Sequence, residues 1–128
     1  MERARVTLRV YSDHLTADEI SACLDRKPEH GHSKGDVNPR TGKAFQESLW
    51  WIKSVSTSDD LEDHIEEMVE YLEANRAQFD KTRDRCSADL FCFFVTRGGQ
   101  AGLVLQSDMM LRMANLGLRL VLDIYGDE

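Results

Sequence analysis

The sequence has little of what defines the specialised protein classes, and each shortage excludes one of them. Its 128 residues include two prolines and eight glycines, too few for a fibrous or low-complexity chain. The longest apolar runs are about as long as a β-strand, which is too short for a membrane-spanning helix. The composition, 41% hydrophobic and 30% charged, therefore predicts one ordinary globular domain over residues 1–128, with no membrane partner.

Cysteine is also scarce, and Cys23, Cys86 and Cys92 form no C-x-x-C pair. An odd number without that spacing fits reduced thiols better than a disulfide framework or a zinc site. The first residues lack the basic region and the apolar stretch of a secretory signal. We therefore expect a cytoplasmic protein whose cysteines serve packing, without a metal or another cofactor.

Motifs of known catalytic chemistry are absent from the sequence. It contains no serine elbow, Cys–His arrangement, paired-carboxylate signature, dinucleotide fingerprint or redox pair. We therefore expect that the protein is not an enzyme.

The net charge of −7 is concentrated in the second half of the chain. Residues 1–57 carry nine Lys or Arg against eight Asp or Glu, whereas residues 58–128 carry seven against fifteen. Nine of these acids lie between residues 59 and 80, with Arg76 as the one base. Such a surface repels phosphate backbones, so nucleic acid is not an expected partner. It could attract a basic protein instead.

Periodicity predicts the elements of the first half. Apolar and polar residues alternate over 6–11, which is typical of a half-buried strand. Thr16 and Glu19 have the spacing of a capping box and predict a helix that ends before Pro28. Residues 29–47 show no apolar period and predict a long surface loop, in which a few residues of strand could lie.

Two tryptophans begin the next predicted strand, over residues 49–55. Ser58 is predicted to cap a helix that runs to about Phe79, with apolar residues at helical spacing on one side. An apolar strand over 90–95 follows, and a turn over 96–100 predicts a hairpin with a partner strand over 103–105.

Ser107 is predicted to cap a third helix that Gly117 ends, with Met110, Met113 and Ala114 toward the core. A strand over 118–125 closes the chain. The predicted order is βαβαββαβ, in which the last six elements form a ferredoxin-like core behind an extra strand and helix. We expect an α+β fold with one mainly antiparallel sheet of about five strands and three helices on one face.

Several segments together resemble one family. They are the first strand, Leu24-x-x-x-Pro28, Lys34-Gly35-Asp36, the tryptophan-led strand, His64 early in an acidic helix, and the closing Leu-Asp-Ile-Tyr. This set resembles the bacterial family called domain of unknown function 4279, over nearly the whole chain. Asp25 stands where the family has a glycine after leucine. The resemblance implies a small bacterial domain and supplies no activity and no catalytic residues.

The loop after the first helix carries the first group of candidate binding residues. They are His32, Lys34, Gly35, Asp36 and Arg40. The Gly31-x-x-x-Gly35 spacing with Lys34 could hold an anion through backbone amides and a cation. The alternative is a tight turn in which Gly35 takes a positive φ and the Asp36 carboxylate accepts from local backbone.

The histidines of this loop allow a metal interpretation and a plainer one. His30 and His32, with Asp36, could ligate a metal, but no third ligand has a diagnostic spacing. Solvated loop histidines are the favoured alternative, so no metal is predicted. His64 could be a poised base, although a partly buried residue bonded to a neighbouring acid is favoured.

Trp50 and Trp51 must point to opposite faces of the sheet, because side chains alternate along a strand. One is predicted to lie in the core. The other would lie on an uncovered face, where Tyr11 and Tyr125 could complete an aromatic patch for a partner or a second copy.

These observations predict a non-catalytic protein-binding module that uses an uncovered sheet face or the acidic helix. A homodimer, or an immunity-type protein that neutralises a basic toxin, would be a concrete form of it. The alternative is a small-ligand binder or enzyme that uses the loop from Gly31 to Lys43, with Lys34 and Arg40 holding an anion.

Overall fold

The computed structural model describes residues 3–99 and 102–126, which form an α+β fold of one sheet and a helical layer. The strands are β1 (Ala4–Ser12), β2 (His30–His32), β3 (Ser48–Lys53), β4 (Ser87–Val95) and β5 (Leu118–Tyr125). The helices are α1 (Ala17–Leu24), α2 (Leu61–Ala74), α3 (Arg76–Thr82) and α4 (Ser107–Asn115). The predicted fold class is confirmed, with four helices in the described ranges instead of three.

The five strands lie in the order β2-β3-β1-β4-β5. β1 is central and pairs antiparallel with β3 and with β4, and β2 pairs antiparallel with β3. β4 and β5 are parallel, because α4 carries the chain back across the sheet between them. The sheet is therefore mixed, although most of its pairings are antiparallel as predicted.

The helices pack on one face of the sheet and leave the other uncovered. α1 contacts β3, α2 contacts β1 and β4, and α4 contacts β5. The strand residues on the helix side are fully buried: Val6, Leu8, Val10, Trp50, Ile52, Leu90 and Cys92. The apolar residues of α2 cover them, as the helical spacing predicts: Leu61, Ile65, Met68, Val69 and Leu72.

α1 begins at the predicted capping box and ends before Pro28, as the sequence predicts. The Thr16 side chain accepts from the Glu19 backbone N–H, and the Glu19 side chain accepts from the Thr16 N–H, so the capping box is confirmed. Asp25 follows the helix in the left-handed conformation, with φ 52°. A glycine would suit that conformation better than an aspartate, because it has no Cβ to crowd the backbone at positive φ.

The helix predicted to run from Ser58 to Phe79 is wrong at both ends. It starts at Leu61, because Ser58 makes a turn in which its Oγ accepts from the Asp60 N–H. It breaks at Asn75, and α3 follows. The Asn75 side chain donates to the Tyr71 carbonyl, a local bond that competes with continuation of the helix.

The predicted hairpin after β4 is also wrong. Residues 102–106 form no strand, and β5 occupies the edge of β4 that the hairpin partner would need. Gln100, at the end of the predicted turn, lies outside the described residues. The ferredoxin-like order is therefore not confirmed, since this hairpin supplied two of its strands.

The orientation of α4 differs from the prediction. Ser107 is the first helical residue and not the cap, while Gly117, with φ 68°, ends the helix as predicted. Met113 is buried, but Met110 is 51% exposed and Ala114 is exposed. Met109 and Leu116 pack toward the core instead.

Candidate functional site

The uncovered surface of the sheet is the main candidate site, and we call it the open face. It consists of the odd-numbered residues of β1, β3, β4 and β5 together with His30 and His32. One row of residues crosses it, with one residue from each strand: His30, Trp51, Arg9, Asp89 and Arg119. We call this set the transverse row.

Arg9 and Asp89 form the centre of the transverse row. Arg9 Nε lies 2.7 Å from Asp89 Oδ1 and its Nη2 lies 2.9 Å from Oδ2, a bidentate pair. The Asp89 side chain is 2% exposed and that of Arg9 25% exposed. Arg119 Nη2 lies 3.7 Å from the same carboxylate. The pair fixes the guanidinium of Arg9 in the middle of the open face.

Aromatic rings enclose the Arg9 guanidinium. Its Cζ lies 4.4 Å from the Phe91 ring centroid and 5.5 Å from that of Tyr11. Burial alone would lower the pKa of Arg9, but the hydrogen bond and charge of Asp89 outweigh it and raise the pKa above its ordinary value. Burial, and then the Asp89 charge, raises the pKa of Tyr11. The centre of the face is therefore an Arg9–Asp89 ion pair framed by uncharged rings at physiological pH.

Only one of the two tryptophans can contact a partner. Trp50 is fully buried, and its Nε1 donates to Ser21 Oγ at 3.0 Å. Trp51 lies on the open face beside Arg9, and the His30 ring stacks on it at 4.8 Å. Lys53 Nζ lies 5.5 Å from the same ring. The prediction that alternation separates the two rings is confirmed, and Trp50 is removed from the binding candidates.

The long loop covers one end of the open face. The His32 ring stacks on Phe45 at 3.5 Å. Gly35 has φ 93°, and the Asp36 carboxylate accepts from the Ser33 N–H at 2.8 Å. The tight-turn interpretation of Lys34-Gly35-Asp36 is therefore confirmed. β2 is the few residues of strand that the loop was expected to allow.

The backbone amides of the loop are already engaged. Besides Ser33, Lys34 donates its N–H to Ser48 Oγ, Gly35 to the Phe45 carbonyl and Asp36 to the Ser33 carbonyl. The predicted anion site would use these N–H groups, but they already donate within the chain. Only side chains of the loop would then remain to bind an anion. Lys34 and Arg40 are both exposed.

The two loop histidines stack on separate rings, Trp51 and Phe45. Within the described ranges, no group of three or more His, Cys, Asp or Glu is placed to hold a metal ion. The free thiols, Cys23, Cys86 and Cys92, are at least partly buried, and burial raises the pKa of Cys92 to about 12. These thiols therefore have the burial expected of packing residues.

Tyr125 lies at the opposite end of the open face from Tyr11. Its ring is 5.5 Å from that of Phe93, and its side chain is exposed. A hydrogen bond to Asp123 raises the pKa of its hydroxyl. The three residues of the expected patch, Tyr11, Trp51 and Tyr125, thus share one face but do not form one cluster.

His64 differs from the prediction. It is fully buried, and its Nδ1 lies 2.6 Å from Ser54 Oγ and its Nε2 2.7 Å from the Ser58 carbonyl oxygen. Because a carbonyl only accepts, Nε2 carries the proton. Neither contact is to an acid, and both ring nitrogens are occupied, so His64 binds α2 to the segment that connects β3 with α2 and is no poised base.

The acids of α2 and its flanks mostly have partners within the chain. Arg112 pairs with Glu66 at 3.0 Å and with Glu73 at 2.6 Å. Glu67 accepts from the backbone N–H groups of Val55 and Ser56. Asp59 pairs with Arg97. A groove of about 690 Å³ lies between α2 and α4, and Arg112 is the basic residue among those that line it.

Sequence reasoning missed the centre of the site. Arg9, Asp89, Phe91 and Arg119 were not candidates, because their proximity depends on pairing between distant strands. Two signals were present: alternation placed Arg9 on the side of β1 away from the core, and Asp89 is an acid at the start of an apolar strand.

The fold and the face define the class: a small α+β domain whose helices cover one side of a sheet and leave an aromatic and cationic side open. A family model described as "Domain of unknown function (DUF4279)" matches residues 2–127, so the chain belongs to that family. No curated protein and no solved structure matches the chain. None of the helices in the described ranges is long and apolar enough to cross a bilayer.

Proposed function

We propose that this chain is a non-catalytic module that binds another protein through the open face. The observation that carries the proposal is Arg9 of the transverse row, which lies between Trp51 on β3 and its ion-pair partner Asp89 on β4. Trp, Tyr and Arg are the residues that contribute most to protein–protein binding energy. Asp89 holds Arg9 in place before binding, so less side-chain entropy is lost in a complex.

The charges of the open face favour a partner that presents carboxylates. Arg9 is already neutralised by Asp89, but Lys53 is exposed and the Arg119 side chain is 69% exposed. Trp51 supplies apolar area next to Lys53, and Phe91 supplies it next to Arg9. An acidic segment with an aromatic or aliphatic anchor matches this combination.

The immunity-type form, which neutralises a basic toxin, would use the acidic surface of α2 instead. It has less support, because Glu66, Glu67 and Glu73 are already engaged by groups of the same chain. The open face is therefore the surface that we assign to the partner.

The test is capture of partners by the wild-type chain and by two matched variants. Trp51→Ser removes the ring from the open face, and Leu111→Ser removes a 62% exposed side chain from α4 in the helical layer. A partner retained by the wild type and by Leu111→Ser, but lost with Trp51→Ser, supports the proposal. A partner that all three chains retain equally contradicts it.

The alternative is a small anionic ligand held by the loop from Gly31 to Lys43. It is supported by two exposed cations, Lys34 and Arg40, and weakened by the engagement of the loop amides. A thermal-shift panel of phosphate, nucleotides, sugars and amino acids tests it. A ligand at 100 times its Kd adds about 2.7 kcal/mol, a shift of roughly 5 to 10 °C. A shift lost in the Lys34→Ala, Arg40→Ala double variant would favour this alternative.

A further inference from the structure

β5 lies at the edge of the sheet, and its outer side pairs with no strand in the described ranges. The Thr96 N–H donates to the Tyr125 carbonyl, so Tyr125 directs its backbone groups toward β4. Backbone direction alternates along a strand, so the even-numbered residues direct theirs outward. They are Leu118, Leu120, Leu122 and Ile124.

This edge is long and apolar, which soluble proteins usually avoid. It spans eight residues without a proline or a lysine, and Leu122 and Ile124 are 46% and 53% exposed. Such an edge is a template for pairing with another strand unless something covers it. The side chains of β5 therefore indicate what kind of strand covers this edge.

We propose that a second copy of this chain covers the edge, through antiparallel pairing of β5 with β5 about a two-fold axis at Val121. In that register Arg119 lies opposite Asp123 of the other copy, twice by symmetry. On the helix side, Leu120 lies opposite Leu122 and Leu118 opposite Ile124. Each of these apolar pairs exchanges backbone hydrogen bonds, because their backbone groups point outward.

The charges select this register over its neighbours. An axis at Leu120 would place Arg119 opposite Val121, and an axis at Leu122 would place Asp123 opposite Val121. Either shift leaves both charges without an opposite charge. The axis at Val121 is therefore the one at which charge and apolar side chains both match their counterparts.

The helical layer extends the apolar contact beyond the strands. Arg112 marks the side of α4 that faces α2, since it pairs with Glu66 and Glu73. Met110 stands about 160° away around the helix, so it faces the outer edge of the sheet beside β5. Its exposed side chain would meet its counterpart from the second copy. The dimer joins two sheets into one and leaves the centre of both open faces uncovered, so it does not rest on the proposed function.

Charge reversal tests the register directly. Arg119→Asp places two acids opposite each other at each end of the pairing, and Asp123→Arg places two bases there. Each variant alone should associate about tenfold or more weakly than the wild type. The mixture of the two variants restores an opposite pair at both ends, so it should dimerise again.

The readout is mass by analytical ultracentrifugation, with a thermal melt for each variant. Arg119→Asp also adds an acid beside Asp89, so Leu122→Lys is a second way to block the edge without that contact. We expect a wild-type dimer of twice 14.6 kDa, monomeric single variants and a dimeric mixture. A wild-type chain that stays at 14.6 kDa at every concentration, or a dimer that persists in Leu122→Lys and in both reversals, overturns the proposal.

Discussion

The Arg9–Asp89 pair predicts that its two members contribute unequally to stability. Arg9→Ala would leave the Asp89 carboxylate, 2% exposed, with Arg119 at 3.7 Å as its remaining cation. Breaking a buried pair from one side costs about 3 to 5 kcal/mol, because a charge is left buried without its partner. We expect about 3 kcal/mol, since Arg9 is one-quarter exposed and Arg119 remains nearby.

Asp89→Ala should cost less, about 1 to 2 kcal/mol, because the long Arg9 side chain can turn its charge into water. The double variant should cost less than Arg9→Ala alone, since no buried carboxylate is then left without a partner. Urea unfolding measures all three free energies, and Lys53→Ala is the control for loss of an exposed cation from the same face. Equal costs of the two single variants, or additive costs in the double variant, would refute the reasoning.

Three further predictions concern single residues. Gly31→Ala places a Cβ 2.7 Å from the Leu49 carbonyl oxygen, so β2 should separate from β3 and lose amide protection in hydrogen exchange. Gly102→Ala is the control, because a Cβ added there has no described heavy atom within 4 Å. Protection unchanged at His32 would contradict this. Asp25→Gly relieves a left-handed residue and removes an acid after α1, so it should add about 0.5 to 1 kcal/mol in thermal unfolding; a lower Tm would be the wrong sign. Because burial raises the pKa of Cys92 to about 12, its thiol stays protonated and unreactive at pH 8. An alkylating reagent should therefore modify the less buried Cys23 first, as followed by mass spectrometry. Early labelling of Cys92 would contradict its burial.

Local features of the fold were predictable because they depend on neighbouring residues. The capping box at Thr16, the turn at Gly35 and the separation of Trp50 from Trp51 follow from spacing and alternation within a few positions. The apolar side of α2 followed from helical spacing in the same way.

The errors arose where a distant segment decided the outcome. Gly98 and Gly99 do take positive φ, which is the local signal of the predicted turn. β5, however, pairs with β4 along its full length, and a three-residue strand cannot compete with that pairing. The break at Asn75 was missed because helical periodicity does not reveal a side chain that bonds to the Tyr71 carbonyl.

The candidate site was predictable in kind but not in composition. Alternation predicted one tryptophan in the core and the other on an uncovered face, and Trp51 lies half-buried on that face. The transverse row depends on four strand registers, which a single sequence does not specify. The loop was predicted as a binding site because glycine, lysine and histidine close together in sequence are typical of ligand-binding loops.

The most direct test of the open face as a binding surface is hydroxyl-radical footprinting of the chain, free and with a captured partner. Radicals oxidise aromatic and aliphatic side chains in proportion to their exposure, so Trp51, Tyr11 and Phe91 report on the open face and Leu111 on the helical layer. The account predicts that the partner protects the three aromatic residues and leaves Leu111 unchanged. Protection of Leu111, with Trp51 oxidised as fast as in the free chain, would contradict it.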